Sequence, residues 1–165
     1  MSASAASSLS GPERVAGAAE ALGLSVEVRR MPASTRTAEE AAAACGCEVA
    51  QIVKSLVFEV AGSGALRLLL VAGHNRVDIE KVAASIGERL GRADPKRVRA
   101  ETGFAIGGVA PIGHAVPVPV PVLMDRSLLD HDTVWAAAGA PDAVFAVAPQ
   151  ALAEATGARI IDVTD

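Results

Sequence analysis

Apolar positions along this chain change their period several times, and each change marks an element. Val15, Ala18, Ala19 and Leu22 recur at helical spacing behind Ser10-Gly11-Pro12-Glu13, a capping box with proline in the first turn, and Gly23 stops the run. Ser25 to Met31 then alternates as a strand would, with Val26 and Val28 inward and Pro32 at its end. Thr37-Ala38-Glu39-Glu40 is a second capping box, opening an alanine-rich helix that closes near Gly46. Gln51 to Val60 and Leu66 to Ala72 are apolar on both faces and are joined through Gly62-Ser63-Gly64. They predict two antiparallel neighbours in a sheet covered on both sides.

Asp78 caps a helix with Ile79, Val82 and Ile86 at core spacing, closed by Gly87, and Asp94-Pro95 starts a short helix reaching Gly103. His114 to Met124 reads as extended, with Pro117, Pro119 and Pro121 at alternate positions. Their missing N–H groups would share one side, as on an edge strand. Thr133–Ala137 and Ala143–Val147 flank a turn at Gly139-Ala140-Pro141-Asp142, Pro149 opens a helix to Gly157, and Arg159–Val163 closes as a strand. The predicted order is αβαββαα, loop, βββαβ: an α/β or α+β single domain with a mixed sheet.

One stretch breaks the pattern. Thr102 to Gly113 holds four glycines and a proline among apolar side chains and carries no charge. Loops are normally polar and superficial, so this one is expected to line a pocket and present backbone N–H groups. Spacing alone equally allows a structural crossover. It does not match Gly-x-Gly-x-x-Gly after a strand, and no Gly-Lys-Ser/Thr follows, which excludes dinucleotide and P-loop readings.

Composition narrows the partners. A net charge of −4, a pI near 5.4 and only 2% aromatic residues argue against DNA and against any broad phosphate-backbone interface. A nucleic-acid partner would be met at a short end only. Residues 1–11 read as a flexible Ser/Ala-rich tail rather than a signal peptide, residues 12–165 as the domain, and no apolar run approaches a membrane span. Cys45 and Cys47 are too close for a disulfide framework, and no second Cys/His pair completes a zinc site. The expectation is a cytoplasmic monomer without metal or cofactor.

Lys54 heads the residues that could carry chemistry. It shares a strand face with Ile52, Leu56 and Phe58, where a charge is costly unless paired or wetted. A lysine snorkelling off the strand and an ammonium making a point contact to a phosphate or carbonyl oxygen both fit. No Gly-x-Ser-x-Gly elbow exists, and neither cysteine has a histidine nearby in sequence. His74 ends a strand and His114 adjoins the glycine stretch; His131 has no such setting. Asp125 and Asp130 have turn or cap roles by default, and Arg36 at a helix start is either a surface residue or part of an anion site.

Together these residues resemble the YbaK/ProX family, free-standing relatives of the editing domain inserted in bacterial prolyl-tRNA synthetases. The resemblance rests on Gln51-Ile52-Val53-Lys54-Ser55-Leu56-Val57-Phe58, on Val71-Ala72-Gly73 ahead of Arg76-Val77-Asp78, and on Thr102-Gly103-Phe104 with Gly107-Gly108-Val109-Ala110-Pro111-Ile112-Gly113. It runs from about Thr37 to the C-terminus. It implies a mixed, partly barrel-like sheet flanked by helices, and hydrolysis of the ester joining a wrong amino acid to tRNA.

Lys54 would contact the terminal phosphate or carbonyl region, and Gly107 would position the ester. Gly108, Val109 and Pro111 would shape the amino-acid pocket with Phe104, and Arg36, His74 and Asp125 complete the expected substrate-binding set. The substrate would supply much of the reactivity itself, through a ribose hydroxyl or its own side chain, so no protein nucleophile is required. The C-terminal Val134–Phe145 segment resembles the branches acting on alanyl, seryl or threonyl esters, ahead of cysteinyl ones. The implied partner is the aminoacyl-tRNA acceptor end, delivered by a synthetase or an elongation factor. A catalytically silent aminoacyl-tRNA or small-ligand binding module is the alternative, and a hydrolase of small esters a third.

Overall fold

The computed structural model describes residues 10–32, 35, 37–105, 109–114 and 121–164. Among the described residues, eight strands form one mixed sheet and five helices pack about it. In chain order they are α1 Gly11–Ala21, β1 Val28–Arg30, α2 Ala38–Cys45, β2 Ile52–Val60 and β3 Leu66–Ala72. α3 Ile79–Ile86, β4 Leu90–Arg92, α4 Pro95–Thr102 and β5 Val122–Asp125 follow. β6 Val134–Ala137, β7 Ala143–Val147, α5 Pro149–Thr156 and β8 Arg159–Ile161 complete the chain, with short 3-10 turns at Val49–Gln51 and Arg126–Asp130.

The strand order is β1-β7-β6-β2-β3-β5-β8, with β4 pairing β2 off this path. β3 is the axis of the core. Leu66, Leu68, Leu70 and Ala72 enter one buried cluster, and Leu69 and Val71 enter another on the opposite face. Alternation by two splits the strand between both sides, which is why its sequence is apolar throughout. Each fully buried leucine contributes about 1.5–3 kcal/mol.

Both capping boxes form, at Ser10 with Glu13 and at Thr37 with Glu40. Ser10 and Gly11, the last residues of the expected tail, are thus the cap and first residue of α1. The α1 face is shorter than its periodicity suggests. Val15 and Ala19 are buried, but Leu22 is 45% exposed, because it is the C-cap and its φ of −89° and ψ of 0° take it off the helical stripe.

Two further expectations are corrected. Ser25–Met31 narrows to the three residues of β1, which pairs β7 only from Val28 to Arg30. The proline-spaced segment is not an edge strand in its described part, since β5 is paired in parallel to β3 on one side and β8 on the other. Pro121 precedes the strand and contributes its carbonyl to Leu68 N–H, so its missing donor costs nothing there. Pro117 and Pro119 lie outside the described residues. β4, three residues long with a central glycine, carries too little periodicity to be read from sequence.

Candidate functional site

β2 has one fully paired edge and one interrupted edge. Val60 donates to Ala65 and Gly73 donates to the Ile52 carbonyl, so the even-numbered residues of β2 exchange bonds with β3. The odd-numbered residues turn their main-chain groups to the other edge. There Val53 meets β6 and Glu59 meets β4, but no described strand runs beside Ser55 and Val57. The gap opens into a cleft of about 540 Å³, walled by β2, by Thr37, Ala38, Glu39 and Ala41 of the α2 end, and by Trp135 and Ala137 of β6. Val109, within the glycine-rich stretch, also lines it.

Lys54 is in this cleft, on the β2 face shared with Ile52, Leu56 and Phe58. Its ammonium donates a 2.6 Å hydrogen bond to the carbonyl of Asn75. An ammonium has three donors, so two have no partner among the described residues and suit a bound molecule. Burial pushes the Lys54 pKa below its ordinary value; Glu39 opposes that shift, Arg76 adds to it, and Asp125 opposes it.

The partner carbonyl is itself held. Asn75 Nδ2 donates to Asp125 Oδ2 at 2.8 Å, and the same oxygen accepts from Ala72 N–H at 3.1 Å, while Oδ1 accepts from Ser127 N–H at 2.9 Å. Asp125 is 2% exposed and does not line the cleft. From outside the cleft it holds Asn75, whose carbonyl meets Lys54.

Gly73 lies between these groups. A Cβ there would run into the carbonyl oxygen of Val49 and come within 3.1 Å of both Ala38 Cβ and Val49 Cγ1. Gly73→Ala should therefore push β3 away from α2, at about 1–3 kcal/mol for overpacking. A lowered denaturation midpoint together with slower turnover is the expected result, and unchanged values of both would remove Gly73 from the account.

The structure separates the other expected site residues. Phe104 is 2% exposed and belongs to the core rather than the cleft. The Arg14 guanidinium covers its ring at 4.6 Å, and His114 meets it edge-on at 5.9 Å. Pro111 is buried outside the cleft lining, and His74 is exposed beside it. Arg36, Gly107 and Gly108 lie outside the described residues, although Thr35 and Thr37 line the cleft on either side of Arg36.

His114 bonds through Nε2 to the Ala110 carbonyl at 2.8 Å, and burial lowers its pKa, helped by Arg14, while that carbonyl works the other way. Arg14 donates to the carbonyls of Gly103 at 2.8 Å and Gly113 at 3.3 Å, holding both ends of the glycine-rich stretch. Gly113 has φ +80°, and a Cβ there would press on the Arg14 backbone at 3.2 Å.

No described nucleophile is poised at Lys54. Ser55 points to the opposite face of β2, so the two cannot form a Ser–Lys pair, and its shielded Oγ has no hydrogen-bond partner. Burial raises Cys45 to about 11 and also raises Cys47, keeping both as thiols at neutral pH. Sequence reading missed Glu39, hidden inside a capping box, and Arg14, whose partners are 89 and 99 residues away.

Comparison with known proteins places these features in context. The aminoacyl-tRNA editing domain family matches residues 32–155. The uncharacterized protein YwhH of Bacillus subtilis (strain 168) is 32% identical over 138 residues, covering 83% of this chain and 86% of its own. The proline–tRNA ligase of Thermosipho melanesiensis is 36% identical over 81 residues, which is 48% of this chain and 14% of that longer protein. A solved structure described as a candidate trans-editing enzyme for prolyl-tRNA synthetase has a TM-score of 0.86 at 48% identity, covering 96% of this chain and 99% of that one.

Proposed function

Because the chain belongs to the aminoacyl-tRNA editing domain family, we propose that it hydrolyses, in trans, the ester linking a small wrong amino acid to tRNA. The observation carrying this reading is the Lys54 ammonium in a cleft where no nucleophile is poised beside it among the described residues. Ester hydrolysis needs a water, a cradle for the developing oxyanion and a fixed geometry. The two free donors of Lys54 suit the carbonyl oxygen, whose negative charge grows as water adds. The main-chain groups of Ser55 and Val57 offer further donors and acceptors, and the Glu39 carboxylate suits the α-ammonium of the aminoacyl group.

Water adds to the carbonyl carbon, the bond to the ribose oxygen breaks, and the products are a free amino acid and a tRNA hydroxyl. A ribose hydroxyl or the substrate's own side chain assists the proton transfer. Val109 lines the pocket wall. A site of this kind acts in the cytoplasm, on substrate released from a synthetase or carried by an elongation factor.

The test is a deacylation time course with alanyl-, seryl-, threonyl- and cysteinyl-tRNA. Turnover of at least one of the first three well above the spontaneous rate is expected. Tight binding without turnover of any ester would favour the silent binding module instead.

A further inference from the structure

The only tryptophan of the chain is in the wall of the cleft. Strand register puts it in a row across one face of the sheet. Trp135 is opposite Ile52, Ala137 is opposite Val144, and Val144 is opposite Arg29. Lys54 is two residues beyond Ile52 on the same face. One strand spacing across and two residues along place the Trp135 and Lys54 main chains roughly 8 Å apart. Both side chains therefore face one cleft from neighbouring strands.

The Arg29 guanidinium covers the Trp135 ring at 5.4 Å from its centroid. Arg29 is exposed and has no carboxylate partner among the described residues, whereas its neighbour Arg30 is paired with Asp142 at 3.0 Å. An indole with a flat, unpaired cation on it is the combination that stacks nucleobases without demanding a particular sequence. It also suits a protein of net charge −4 that would hold its nucleic acid by one end.

We propose that Arg29 and Trp135 form the stacking platform for the 3′-terminal base of the acceptor strand, beside the ester that Lys54 engages; this rests on the deacylase reading above. Arg29→Ala and Trp135→Leu should each raise KM for aminoacyl-tRNA about tenfold while kcat stays within twofold, and Trp135→Phe should recover most of the loss. A substrate whose terminal nucleotide is abasic separates stacking from structure. It should lower wild-type affinity to the level of Arg29→Ala, and Arg29→Ala should then cost nothing more.

Titration with the trinucleotide CpCpA, read by Trp135 fluorescence, should quench the wild type, and Arg29→Ala should need about tenfold more ligand. Unchanged KM in both variants, or equal affinity for the abasic and intact substrates, would overturn the platform while leaving deacylation in place. Failure of the wild type to deacylate any ester would instead overturn the deacylase reading, and the fluorescence titration would still decide the platform.

Discussion

Lys54→Ala should slow ester hydrolysis by about 10²–10³-fold while the protein stays folded, the size of effect seen when one preorganised oxyanion donor is removed. That corresponds to about 2.7–4 kcal/mol of transition-state stabilisation. The structural cost is small by comparison. The side chain is half-buried, its hydrogen bond among the described residues is to the Asn75 carbonyl, and removing a partly desolvated charge offsets part of what is lost. Lys54→Arg should restore little activity, because a planar fork on a longer stem cannot occupy the position of a compact ammonium. Single-turnover deacylation with a thermal melt on the same samples checks both halves. A rate unchanged in Lys54→Ala would remove the residue from the mechanism.

Asp125→Ala should have the largest effect on stability. The carboxylate is buried and accepts from three donors on two segments: Ala72 N–H at the end of β3 and Asn75 Nδ2 just beyond it, and Ser127 N–H after β5. Alanine leaves those donors without their acceptor, at about 3 kcal/mol, or a fall in Tm of roughly 10 °C for a domain of this size. Asp125→Asn keeps an acceptor but turns an amide N–H towards groups that are themselves donors, so it should fall between the two. Assayed well below its melting temperature, Asp125→Asn should also lose about tenfold in rate, because the Asn75 carbonyl that aims Lys54 is no longer fixed. Lower stability with a wild-type rate would confine Asp125 to the fold.

Local signals carried most of the fold. The capping boxes at Ser10 and Thr37, the two-faced run of Leu66–Ala72 and the glycine stops each act within a few residues, and each formed as its chemistry dictates. The sheet order was not legible, because β6 beside β2 and β5 between β3 and β8 are decided by long crossovers rather than by neighbours in sequence. The same limit governed the site. Lys54 stood out because a charge on an apolar strand face is costly wherever the strand ends up. Phe104 lies in the core rather than the cleft lining, because adjacency to a glycine-rich stretch says nothing about which side of the backbone faces the core. Glu39 and Arg14 were invisible for the opposite reason: their local settings are ordinary, and only tertiary contact gives them roles.

The grip of Arg14 on Gly103 and Gly113 also bears on where the protein begins as a physical object. Arg14 is on α1, ahead of the segment that defines the family, as is β1, while β8 lies behind it. Cutting the chain to residues 32–155 would keep every recognisable motif. It would also remove both terminal strands of the sheet and the side chain that moors the glycine-rich stretch. The family match is thus shorter than the sheet, and what lies outside it closes both ends of the strand order and ties down both ends of the glycine-rich stretch.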